Sequence, residues 1–194
     1  MNEIFPVSGR CVCGHIQYEV QTRPLIVHCC HCSWCQRETG SAFALNALIE
    51  RSRIDVQSDE PETVLNPSQS GRGQRIHRCA QCRTALWSHY AYGDIGEQLA
   101  FLRVGTLDDP QTMPPDVHIY TASKQPWLQL PEGMPIFQGF YRAHEVWSEE
   151  ALARRRALVV ESQTSMTCQV DDMAKCWTPI NHSRFLTPKP VITQ

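Results

Sequence analysis

The chain has 194 residues, 42% of them hydrophobic, enough for one hydrophobic core with an appendage. Lys and Arg number 18 against 20 Asp and Glu, and the formal charge of −2 provides no overall pull toward nucleic acid or acidic membranes. Met1-Asn2-Glu3-Ile4-Phe5-Pro6 lacks the basic and apolar blocks of a secretory signal, and no apolar run nears the ~20 residues that span a bilayer. A cytoplasmic protein is therefore expected, in which paired cysteines read as metal or redox sites rather than disulfides.

In chain order, Val7 to Val20 reads as a strand pair with Ile16, Tyr18 and Val20 on one face. Pro24 to Cys32 is a second strand region, and the mostly apolar stretch from Ala42 to Ile49 a buried strand after Gly40-Ser41. Gln69 to Arg75, with Gly71 and Gly73, signals a turn. Leu99 to Val104 reads as a strand ending at Gly105, before a turn at Asp108-Asp109-Pro110. Pro114 and Pro115 open an extended segment through His118-Ile119-Tyr120. Many short strands punctuated by Gly and Pro predict a mainly β domain over residues 1–141. Residues 142–194 read as a short helix and a loosely ordered tail: Ser148 caps a helix through Leu152 and Leu158, and the chain beyond Glu161 is polar, then Pro-rich.

Seven of the ten cysteines fall in three clusters: Cys11-Val-Cys13-Gly14, Cys30-His-Cys32-Ser-Trp-Cys35 and Cys79-Ala-Gln-Cys82. Thiolates at such spacings hold zinc. In a strand, i and i+2 share a side, so Cys11 with Cys13, and Cys30 with Cys32, converge. Gly14 fits a tight turn where a side chain would crowd the metal. A closed structural site takes four ligands, whereas three ligands and a vacant position make a catalytic-type site. One Cys-x-Cys pair with the distant Cys-x-x-Cys pair makes the four, and the remaining cysteines make the three. Spacing alone leaves the partition open. Cys29 reads as a buried thiol pointing away from the cluster, and His28 shares the parity of Cys30 and could close a set of four. Cys168, Cys176 and His182 read as ordinary tail residues.

With these clusters, the chain resembles the glutathione-dependent formaldehyde-activating enzyme and centromere protein V family. The matching blocks continue through Gln36-Arg37, Gly40-Ser41-Ala42-Phe43, Gly105-Thr106-Leu107-Asp108, Pro115, His118-Ile119 and Ser123-Lys124-Gln125-Pro126-Trp127, covering roughly residues 8–140. The resemblance implies a tent-like fold of antiparallel β-sheets and two zinc ions per chain. Cys11, Cys13, Cys79 and Cys82 would hold a structural zinc, and Cys30, Cys32 and Cys35 a reactive one. Arg83 departs from the family pattern, in which many relatives carry glycine, and puts the local turn in question.

Three thiolates leave zinc a poor Lewis acid but a good holder of an incoming thiolate. The expected function is a carbon–sulfur lyase that joins a thiol, glutathione by the resemblance, to a small aldehyde such as formaldehyde, and the reverse. Glutathione's carboxylates need cations, for which Arg37 and Lys124 are the candidates. Thr106 and His118 either face the open zinc position or satisfy backbone groups, and the basic stretch Arg72, Arg75, Arg78 and Arg83 fits the exposed side of a hairpin. Gly71-Arg-Gly73 is not a nucleotide motif. No nucleic-acid or membrane partner is expected, and a homodimer is a family-level expectation. The competing readings are a non-catalytic zinc scaffold like the centromere-associated branch, and a redox protein using Cys79 and Cys82 as a dithiol.

Overall fold

Ten short strands and two helices build the chain in a computed structural model that describes residues 5–68, 71, 73–90 and 95–170. The strands are β1 (Val7–Arg10), β2 (Gln17–Val20), β3 (Ile26–Cys30), β4 (Ala44–Glu50), β5 (Ile54–Val56), β6 (Glu62–Asn66), β7 (Gln74–Arg78), β8 (Ala85–Tyr90), β9 (Leu99–Arg103) and β10 (Val117–Ile119). The helices are α1 (Ser33–Thr39) and α2 (Glu149–Val170). One sheet has the order β1-β2-β5, the other β10-β3-β4-β9-β8-β7-β6. Pairing is antiparallel throughout except between β10 and β3, which run parallel. The architecture is mainly β, as expected.

The larger sheet is covered on both faces, which explains why its central strands read as continuous apolar runs. On one face, Val27, Ala47, Ile49, Ala100 and Leu102 pack with Ile16, Tyr18, Val20 and Ile54 of the small-sheet side. On the other, Ile26, Leu48 and Leu99 pack with Tyr141, Ala151 and Leu158 from the C-terminal region. Alternate residues of β3 and β4 thus serve two cores. Tyr18 is fixed by an edge contact to Trp87, and its hydroxyl donates to Thr106 Oγ1, which in turn donates to the Arg103 carbonyl.

Two local readings differ from the expectation. The chain turns after Cys30 and enters α1 rather than continuing β3 to Cys32. Cys32 is the N-cap, its sulfur accepting from the Cys35 amide at 3.3 Å, and Gly40 closes the helix in the left-handed region. The C-terminal helix runs for 22 residues, past Glu161, because no glycine or proline interrupts the chain before Pro179. Ser148 caps it as expected, its hydroxyl accepting from the Ala151 amide at 3.1 Å. Gln69, Ser70 and Arg72 of the expected turn lie outside the described residues, as do the tail from residue 171, with Cys176 and His182, and the Cys168 side chain. Among the described residues, no helix is long and apolar enough to cross a membrane.

Candidate metal centres and the chamber above them

The turn after β1 carries Cys11 and Cys13, and the turn between β7 and β8 carries Cys79 and Cys82. All four sulfurs lie within 4.8 Å of one another. The Cys11–Cys13 and Cys13–Cys79 separations are 3.4 and 3.8 Å. Four ligands at ~2.3 Å around a tetrahedral ion stand about 3.8 Å apart, so the donor set suits zinc in both chemistry and spacing. Convergence comes from tight turns rather than from strand alternation. Cys11 accepts the Gly14 amide on its carbonyl and the Ile16 amide on its sulfur. Gly14 has φ +75°, and a Cβ there would meet nothing within 4 Å. Glycine therefore serves backbone conformation at this position, not the relief of crowding. Arg83 also sits at positive φ, 65°, which explains why glycine suits its turn; its guanidinium pairs with Glu62. Thr84, through its hydroxyl and its amide, pulls the Cys82 thiol down to about 5.

On the opposite face of the large sheet, Cys30 at the end of β3, Cys32 at the helix cap and Cys35 in α1 form a second group within 4.8 Å. Hydrogen bonds with Cys30 and Cys35, then the amides of Cys35 and Trp34, hold the Cys32 thiol far below its ordinary value. Bonds with Cys32 and Cys35, together with burial, raise Cys30. Three sulfurs so close together form a donor set that a cation would bind.

Groups that the sequence reading missed hold this trio in place. Arg103 of β9 donates to Asn46 Oδ1 of β4 at 2.5 Å and pairs with Glu38 of α1, tying the helix to the sheet. Gln36 donates to the His31 and Ser123 carbonyls and accepts from Gln125, so the downstream family block buttresses the trio's turn. A helix signal was present, since Cys32 and Cys35 are one turn apart and Gly40 follows, but the pairing of Arg103 with Glu38 has no local signature.

The trio opens into a chamber of about 530 Å³. Trp34, Tyr90 and Phe101 line it, with Phe140, Tyr141 and Trp147 from the segment leading into α2. Burial pushes the His28 pKa down to about 3, so its ring is neutral. Its Nε2 shares a 2.5 Å hydrogen bond with the Tyr141 hydroxyl, and Tyr141 accepts the Trp147 indole N–H at 2.7 Å. His28 is therefore engaged away from the trio. Cys29 is buried and lies 3.5 Å from His31 Nε2, which bonds to His118 Nδ1 at 2.9 Å. These three form a separate cluster that could also hold an ion. Thr106 bonds to Tyr18 and is absent from the lining, as is His118.

Arg37 is exposed on α1, and Lys124 donates to the carbonyls of Gln125 and Leu128; neither lines the chamber. Arg155 of α2 does line it, and it has no ion-pair partner among the described residues.

Fold and sites together define a mainly β protein with a four-cysteine cluster and a separate, open three-cysteine cluster. The glutathione-dependent formaldehyde-activating enzyme family matches residues 6–123, and the chain belongs to that family. Glutathione-dependent formaldehyde activation is thus its general activity class. A crystal structure of a Rhodobacter sphaeroides protein is 19% identical, with a TM-score of 0.41, covering 54% of this chain and 92% of that one. Comparison with curated proteins found no match.

Proposed function

We propose that the chain is a zinc-dependent carbon–sulfur lyase that joins a thiol to an aldehyde as an S-hydroxyalkyl adduct and catalyses the reverse cleavage. The observation that carries this reading is the trio: three convergent sulfurs on the wall of a chamber large enough for a substrate. In this reading Cys11, Cys13, Cys79 and Cys82 hold a structural zinc, and Cys30, Cys32 and Cys35 the reactive one. A zinc ion at the trio would supply an open position where an added thiol loses its proton near neutral pH.

The remaining work falls to the chain. The aromatic walls exclude water and bring the aldehyde carbon close to the sulfur. As the C–S bond forms, the carbonyl π pair moves to oxygen, which takes up the proton the thiol released. Cleavage reverses each step. Arg103 and Glu38 keep α1, and with it Cys32 and Cys35, in register with Cys30. Arg155 meets a carboxylate of glutathione at the chamber, with Arg37 and Lys124 the candidates for its outer end.

Exchange NMR on glutathione and formaldehyde with the zinc-loaded protein tests the reading. Exchange should run faster than the uncatalysed background and return to it in Cys32→Ser. Equal turnover by parent and variant would sink the proposal.

A further inference from the structure

The chamber is much larger and more apolar than a one-carbon aldehyde requires. Formaldehyde presents only two hydrogens to a wall. Yet the trio opens into about 530 Å³ faced by the rings of Trp34, Tyr90, Phe101, Phe140, Tyr141 and Trp147. These rings are braced against one another. Tyr90 meets Phe101 edge-on at 4.9 Å, and Phe140 stacks on Tyr141 at 5.0 Å with 13° between planes. Two polar groups of the walls are already engaged: the Tyr141 hydroxyl between His28 and Trp147, and Asn46 Oδ1 by Arg103. Apolar carbon makes up most of the lining, with Ser68, His144 and Arg155 as polar members, so the space between the rings suits an apolar occupant. Glutathione's peptide groups would lose water against these rings at a cost in affinity, whereas a carboxylate has Arg155 to meet. Part of the enclosure, including Phe140, Tyr141, Trp147 and Leu152, comes from beyond the family match at residues 6–123.

We infer that the aldehyde-derived half of the adduct carries an aromatic or branched apolar group that fills this chamber, while the thiol half extends toward the mouth. The inference rests on the lyase reading for its chemistry but on the walls for its specificity. The reaction is RCHO plus R′SH giving RCH(OH)SR′, with R the apolar group. One C–S bond forms, the carbonyl π bond breaks, and the thiol proton ends on oxygen.

Two measurements separate the inference from the lyase reading. The first is calorimetric titration of the zinc-loaded protein with S-benzylglutathione and S-methylglutathione. Burying a phenyl ring should make the benzyl compound bind at least about tenfold tighter. Leu152→Trp, which adds bulk to the lining without leaving a hole, should bring the two affinities together. Equal affinities for the parent, or a benzyl preference untouched by Leu152→Trp, overturns the inference. The second compares exchange of glutathione with phenylacetaldehyde and with formaldehyde. Higher kcat/KM for phenylacetaldehyde supports the inference, and acceleration with formaldehyde alone overturns it. Acceleration with neither aldehyde, with the benzyl preference intact, removes the lyase reading and leaves the apolar preference of the chamber standing.

Discussion

Gly9 shows how closely single atoms are accounted for in the inner core. A Cβ at this position would stand 2.4 Å from the ring and hydroxyl oxygen of Tyr18, which is 1% exposed. The ring has nowhere to go, since Trp87 meets its edge and Thr106 binds its hydroxyl. Gly9→Ala should therefore destabilise the fold by about 1–3 kcal/mol, read as a lower midpoint in urea with an unchanged slope. The same economy appears at Cys32, which serves as a helix cap and as a member of the trio. Its spacing from Cys35 was legible in the sequence because one turn of helix brings i and i+3 together. Its capping role was not, since cysteine is an uncommon cap and the preceding residues read as strand.

Among the elements, α2 is placed by Ala151 and Leu158 in the second core and by one ion pair to the large sheet. Arg154 donates from Nε and Nη2 to the two oxygens of Glu50 at 2.8 and 2.6 Å, and from Nη1 to the Arg23 carbonyl. Both side chains are largely buried, and truncation of Arg154 leaves Glu50 with Arg53 alone, 3.2 Å from Oε1. Arg154→Ala should cost roughly 1–3 kcal/mol and speed proteolysis of the C-terminal helix in a timed digest. Burial alone would raise the Glu50 pKa, but Arg154 outweighs it and holds the carboxyl below its ordinary value of about 4.3. A depressed folded pKa stabilises above the unfolded value, and the contribution is lost as pH falls through the folded one. Acid unfolding monitored below about pH 4.3 should accordingly be steeper in the parent than in Glu50→Gln, and equal slopes would assign the acid limb to other carboxylates. The helix itself was expected from Ser148 and the Leu152–Leu158 spacing. Its partner Glu50, 104 residues earlier, carries no local mark.

For the molecule as a whole, the four-cysteine cluster joins the turn after β1 of the small sheet to the β7–β8 turn of the large one. Holding zinc there would tie together segments 66 residues apart. Stripping the metal with a strong chelator should lower Tm by roughly 10 °C or more, on the scale of several kcal/mol at about 3 °C each. Readdition of zinc should restore it, and an unchanged Tm in metal-free protein would deny the cluster its structural role. The trio lies on the other face of the large sheet, so Cys32→Ser should leave most of that stability in place.

Ligand chemistry is local: cysteines two or three residues apart can reach one ion whatever surrounds them, so the chain announced its clusters through spacing alone. Strand content was legible for the same reason, because alternation and turn residues act over a few positions. Long-range assembly decided the rest. Which sulfurs share a site depends on which turns meet, and the larger sheet makes that choice through seven strands in an order far from sequential. The chamber is more remote still, with walls drawn from α1, β8, β9 and residues 140–155. No spacing rule links Trp34 to Trp147, and they line one space only because packing on a sheet covered on both faces leaves them there.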